Sequence, residues 1–294
     1  MTDHSLPPVT IANCLGEGIV WDERDQSFRW TDIEGRKLFR LSWPDRELTE
    51  TDLPQRLGSL ALTDIDGVIL AAFEAGFAQF AIASGEVEWI AKPVSIPGVR
   101  FNDGRVDRQG RFVAGTMVED ADKAGGERKG TLWRLEADGS LTSLVEGIGI
   151  TNALCWSPDG ATMYHADTTT GALNAYRYGE TAEFDRVVRQ FTPEEGWPDG
   201  ASVDAAGDIW QALWGGGALV CLEPTSGREI DRVSLPASQI TCPAFGGPDL
   251  DILAATSAWT DLDDARRAAE PEAGQLFFAR PGARGLAEMC VRLG

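Results

Sequence analysis

The chain has 294 residues, 43% hydrophobic and 24% charged, and its 46 acidic and 26 basic side chains leave a net charge of −20. That balance excludes a nucleic-acid role, because phosphates demand a basic surface, and it disfavours an anionic membrane. No apolar run reaches the roughly 18 residues of a membrane span, and the polar start Met1–Pro8 has no apolar signal core, so a cytoplasmic location is expected.

A first short strand is predicted near Val9–Ala12, in a place to close the last unit of the fold. From there one pattern recurs. An acidic or Gly turn leads into a short alternating strand, and a second strand follows. The copies are Asp22–Ile33, Asp64–Phe73, Asp107–Thr116, Ser157–Asp167, Asp204–Leu213 and Gly247–Ser257, a period of about 45 residues. In the DxxG and PDG turns, Asp bonds its own backbone and Gly accepts a positive φ. The second strands read Lys37–Leu41, Phe77–Ile82, Leu132–Leu135, Leu173–Tyr176, Leu219–Leu222 and Leu276–Phe278. Six such units predict an all-β six-bladed β-propeller forming a single domain over residues 1–294. The one helix-like stretch, Asp261–Ala269, is expected to be a short surface insertion.

The five cysteines are scattered, with no CxxC pair, and read as buried thiols. Only two histidines occur, His4 and His165, so a three-histidine zinc site is excluded. In a propeller the polar residues near the start of each blade converge on a central channel. Glu17, Asn102, Asn152 and Asp199 each stand five residues before the blade turns at Asp22, Asp107, Ser157 and Asp204. Any one of them alone reads as a turn residue. The shared offset instead puts four oxygen-bearing side chains at equivalent places. Two carboxylates with amide oxygens suit a hard divalent ion, Ca²⁺, Mg²⁺ or Mn²⁺, with Zn²⁺ or Fe²⁺ compatible if water completes the shell. The expectation is a central-channel metal site. Trp197 and Trp214 are candidates for an aromatic stacking wall beside the channel, with blade core as the alternative. His165, in the MYHAD strand, reads either as a contact to a substrate hydroxyl or as a structural histidine.

The segments LGEGIVWD (Leu15–Asp22), RFNDGRVDRQGRFVAGTM (Arg100–Met117), ITNALCWSPDG (Ile150–Gly160), PDGASVDAAGDIWQALWGG (Pro198–Gly216) and CPAFGG (Cys242–Gly247) resemble the regucalcin/gluconolactonase family, also called the senescence marker protein and luciferin-regenerating family. ALWGG and YHAD are most similar to its bacterial sugar-lactonase branch. The likeness runs in order along nearly the whole chain. It departs at Ile19, where Pro is common, and in the second blade, Leu53 to Ile90. It implies a six-bladed propeller with a metal on Glu17, Asn152 and Asp199. It also implies substrate contacts from Arg100, Asn102 and a glutamate falling on Glu119, with Asp120 as the alternative. The implied activity is metal-dependent hydrolysis of a pentono- or hexonolactone to its aldonic acid. The ion would polarise the lactone, and Asp199 would act as general base as well as ligand. The implied partner is a small-molecule sugar lactone, and a monomer is expected. The competing readings are a calcium-binding regulatory protein without turnover, a propeller esterase or phosphotriesterase, and a propeller serving only as a protein-binding platform.

Overall fold

The structure, a computed structural model, describes residues 5–293. His4 therefore lies outside the described residues. Six four-stranded antiparallel sheets form a six-bladed β-propeller, with only two short α-helices, Ala121–Ala124 and Asp264–Ala269, among the described residues. Each blade runs outward from the channel in chain order. Blade 1 holds β2 (Gly16–Asp22), β3 (Ser27–Asp32), β4 (Lys37–Ser42) and β5 (Leu48–Asp52). Blade 2 holds β6 (Leu57–Leu62) to β9 (Glu86–Ala91), and blade 3 holds β10 (Val99–Val106) to β13 (Leu141–Ile148). Blade 4 holds β14 (Thr151–Trp156) to β17 (Ala182–Gln190), and blade 5 holds β18 (Trp197–Val203) to β21 (Glu229–Ser234).

Blade 6 takes β22 (Ile240–Gly246), β23 (Ile252–Ser257) and β24 (Leu276–Ala279) from the end of the chain. Its outer strand is β1 (Ser5–Val9), from the beginning, paired antiparallel to β24. The closing strand is the expected one, but it lies earlier than Val9–Ala12. The helix at Asp264–Ala269 is capped by Asp263, whose side chain accepts from Arg266 N. It falls inside the stretch expected to be helical. The helix at Ala121–Ala124 has no counterpart among the expected elements.

A propeller sheet is covered on both faces by its neighbours, so its inner strands lose the alternation of a half-exposed sheet. β2, β6, β14 and β22 are buried throughout, whereas β5 is almost wholly exposed. The core accordingly splits into six clusters, one between each pair of adjacent blades. One packs Trp21, Phe28 and Trp30 of blade 1 against Ala244, Ile252 and Phe278 of blade 6. The five cysteines are free thiols. Cys155, Cys221 and Cys242 are buried as expected, but Cys14 and Cys290 are only half-buried.

The recurring Asp turns join the first strand of each blade to its second, at one end of the channel. Asp107 Oδ1 accepts from the backbone N of Gln109 at 3.0 Å and of Arg111 at 2.8 Å, and Asp204 Oδ1 holds Ala206 and Asp208 likewise. The strand after each turn is thus the second of its blade, not the channel-lining one. The C-terminal segment crosses this same end. Gly285 bridges to Asp204, Arg108 donates to the Ala287 carbonyl at 2.9 Å, and Val291 bridges to Thr63.

Candidate metal and substrate site

All six channel-lining strands break register with their neighbour at one level. The shifts fall at Glu17/Val20, Leu57/Ser59, Phe101/Gly104, Asn152/Cys155, Pro198/Ala201 and Ile240/Pro243. A β-bulge leaves a residue unpaired and re-aims its side chain. Here the ring of bulges carries Glu17, Asn102, Asp103, Asn152 and Asp199 at the end of the channel opposite the Asp turns. The residues following Glu17 and Asn152 adopt left-handed backbone, Gly18 at φ 60° and Ala153 at φ 55°. Gly18 bears this at no steric cost, while Ala153 is held there by a fully buried setting.

A cavity of about 640 Å³ opens above this ring. Glu17, Arg100, Asn102, Asn152, Asp199, Glu119 and Trp214 all line it. Asp120, the alternative to Glu119, does not. It caps the Ala121–Ala124 helix and pairs with Lys123 at 2.8 Å. Trp197 pairs with Trp214 in the blade 5 sheet but does not line the cavity. His165 stands apart as well. It sits in β15 (Thr162–Asp167), 1% exposed, edge-on to Tyr176, with no hydrogen-bond partner for either ring nitrogen. The structure places it in the blade 4 interior, not in the substrate wall. Burial pushes its pKa down to about 4.

Hydrogen bonds fix the floor of the cavity. Arg100 Nη1 donates to Asn102 Oδ1 at 2.9 Å and to the Phe101 carbonyl at 3.0 Å. Asn102 Nδ2 donates to Asn152 Oδ1 at 3.2 Å and to the Thr151 carbonyl at 3.0 Å. Asn152 Nδ2 donates to Thr168 Oγ1 at 2.8 Å, and that hydroxyl donates to the Pro198 carbonyl at 2.8 Å. The chain of bonds fixes the orientation of the Asn152 amide, with its nitrogen toward Thr168 and its oxygen toward Asn102.

Glu17 and Asp199 line the same cavity side by side, and both are raised in pKa. For Glu17 the cause is burial, then the Asp103 charge; for Asp199 it is burial, then the Glu17 charge. Two buried carboxyls set against each other oppose each other's ionisation, and a cation between them would relieve this. Asp103 is itself held by the backbone N of Gly104 at 2.8 Å and of Leu154 at 2.9 Å.

Below the ring the channel is closed by Arg105. This buried guanidinium of blade 3 donates to the carbonyls of Ile19 in blade 1 at 2.9 Å, Ala201 in blade 5 at 3.3 Å and Pro243 in blade 6 at 3.3 Å. Glu288 of the C-terminal segment lies 3.9 Å from its Nε.

Reading residues ahead of each blade turn misses the rim. The turns between second and third strands reach the same end of the channel. They bring Glu34, Glu119, Thr168, Thr260 and Asp261 to the cavity, and the loop before β6 brings Arg56. The available signal is positional: every one of these residues except Arg56 closely follows the second strand of its blade.

A second acidic group, Asp204, Asp208 and Cys221, has ligand atoms within 4.8 Å of one another. Asp204 is consumed by its own turn and by Trp210 Nε1 at 3.1 Å, and burial keeps the Cys221 thiol protonated. It caps a turn.

Fold and site together define a six-bladed propeller with a hard-oxygen pocket at one mouth of its channel. The family model described as SMP-30/Gluconolactonase/LRE-like region matches residues 15–259. The chain belongs to that family. It is 36% identical over 278 residues to L-arabinolactonase of Azospirillum brasilense, covering 94% of this chain and 91% of that one. It is 34% identical over 277 residues to 6-deoxy-6-sulfogluconolactonase of Pseudomonas putida, covering 93% and 94%. A solved structure described as a calcium-binding protein, regucalcin, from Agrobacterium tumefaciens superposes with a TM-score of 0.88 at 34% identity, covering 96% and 95%.

Proposed function

We propose that this protein is a lactonase that opens a sugar lactone, an aldonolactone of five or six carbons, to its aldonic acid, with one divalent cation held by Glu17, Asn152 and Asp199. The observation that carries the reading is the convergence of two buried carboxyls, Glu17 and Asp199, and the Asn152 amide on one cavity at the channel mouth. Three oxygen-bearing side chains from blades 1, 4 and 5 line the same cavity, where a cation would relieve the repulsion between the two carboxylates. The donor set fits a hard ion, Ca²⁺, Mg²⁺ or Mn²⁺, and accepts Zn²⁺ or Fe²⁺. Lactonases among the relatives at 34–36% identity support the chemistry.

When bound, such an ion supplies Lewis-acid polarisation and lowers the pKa of nearby water. The protein's own groups do the rest. Arg100 Nη2 donates to a sugar hydroxyl or to the developing oxyanion, and Asn102 Oδ1 accepts from a sugar hydroxyl. Glu119 holds Arg100 through Nε at 3.0 Å. Asp199, as carboxylate, accepts a proton from the attacking water. The water oxygen bonds the carbonyl carbon, the ring C–O bond breaks, and the proton goes to the departing alkoxide.

The second reading, calcium binding without turnover, draws on the description of the Agrobacterium structure as a calcium-binding protein. One experiment separates the two. The protein is stripped of metal, Ca²⁺, Mg²⁺, Mn²⁺, Zn²⁺ and Fe²⁺ are added back singly, and acid release is followed across a panel of aldonolactones. Metal-dependent turnover is expected. Tight metal binding with no acid release on any lactone would leave the calcium-binding reading.

A further inference from the structure

Resting on the lactonase reading, we propose that Glu34 and Arg56 form a charge gate at the cavity rim that admits uncharged lactones and turns away those bearing a phosphate, sulfonate or second carboxylate. The relatives differ on this point by name, since a sulfogluconolactone carries an added anion and an arabinolactone does not.

The gate follows from where the rim's hydrogen bonds go. Arg56 Nη1 donates to Glu34 at 2.9 Å and Glu119 at 2.7 Å; Nη2 donates to Glu74 at 3.1 Å and Glu119 at 3.0 Å. The two terminal nitrogens carry four N–H groups, and four carboxylate contacts take them. A guanidinium binds phosphate or sulfonate by presenting two parallel N–H groups. Arg56 cannot do so without losing a carboxylate.

Arg100 has little more to offer. Its Nε serves Glu119, and its Nη1 serves Phe101 and Asn102. Among the described residues only its Nη2 is left without a protein partner. One nitrogen suits a hydroxyl oxygen and not a bidentate oxyanion.

No other cation lines the cavity among the described residues, whereas Glu17, Glu34, Glu119, Asp199 and Asp261 do. The hydrogen bond from Arg56 holds Glu119 ionised, with its pKa lowered to about 2. The field at the rim is therefore acidic even with a divalent ion below it. Hydroxyls donate to such carboxylates, and anions are repelled by them. The same field favours departure of the product, which is itself an anion.

The test compares kcat/KM for an uncharged hexonolactone and its 6-phospho and 6-sulfo derivatives. The wild type is expected to prefer the uncharged lactone by about a hundredfold or more. Glu34→Gln, which removes one negative charge from the rim and weakens one contact of Arg56, is expected to shrink that preference about tenfold by raising kcat/KM for the anionic lactones. Asp261→Asn, at a second place on the rim, is expected to move it the same way. Calorimetric binding of a hexitol and of its 6-phosphate gives the same ratio without turnover. Absence of turnover on every lactone would thus count against the lactonase reading while the binding ratio still decides the gate. Equal handling of charged and uncharged ligands by the wild type overturns the proposal, as does a ratio that neither variant changes.

Discussion

The buried carboxyls of Glu17 and Asp199 face one cavity and are both raised in pKa, although one belongs to blade 1 and the other to blade 5. Only ring closure brings these strands together, and only a proton or a cation lets two buried carboxyls sit side by side.

Glu17→Gln keeps the shape of the side chain and removes one of the two charges. Its expected effect is a loss of divalent-ion affinity larger than the roughly 10–100-fold cost of removing an outer partner. Lactone turnover falls with it. Calorimetric titration of the stripped protein with Mn²⁺ or Ca²⁺ reads the affinity, and unchanged binding would remove Glu17 from the ligand set.

Thr168→Val deletes the hydroxyl between Asn152 Nδ2 and the Pro198 carbonyl without changing the side chain's volume greatly. The Asn152 amide is then free to turn its nitrogen toward the ion. Metal affinity should drop by about 10–100-fold, and Thr168→Ser should recover most of it. If Thr168→Val binds the ion as the wild type does, the relay has no part in holding Asn152.

Arg105→Met leaves three strand carbonyls, from blades 1, 5 and 6, without their donor and Glu288 without its nearest cation. Removing one member of a buried charged network costs about 3–5 kcal/mol. Urea unfolding should show that loss with an unchanged m-value. A much smaller loss would mean that the apolar clusters between blades hold the ring closed unaided.

His165 sets a pH dependence of stability. Its folded pKa, about 4, lies below the unfolded value near 6.5 because burial disfavours the imidazolium. Between those values the unfolded chain binds the extra proton, so this contribution is complete above about 6.5 and is lost as pH falls toward 4. The full swing is about 3 kcal/mol. Denaturation at pH 7 and pH 4.5 should show a smaller difference for His165→Gln than for the wild type. Equal differences would show that other groups carry the acid sensitivity.

Much of this protein is written locally. The Asp of each turn bonds backbone within four residues of itself, as Asp107 does with Gln109 and Arg111, so the blade rhythm is legible without the fold. The five-residue offset to Glu17, Asn102, Asn152 and Asp199 is legible for the same reason, since equivalent bulges recur at one distance from equivalent turns. Which strand of a blade those turns feed is not legible, because turn chemistry alone cannot say which of two flanking strands faces the channel. The place of His165 is hidden too. Alternation along β15 marks a face but not whether that face meets the channel or a neighbouring blade.

The tertiary structure alone decided the rest. Arg56 is held by glutamates from blades 1, 2 and 3, Asn152 is oriented through Thr168 by a blade 5 carbonyl, and Arg105 spans the channel to three other blades. None of these contacts leaves a spacing in the chain. They exist because closing the ring sets distant segments side by side, where burial makes each unpaired polar group costly and so selects its partner.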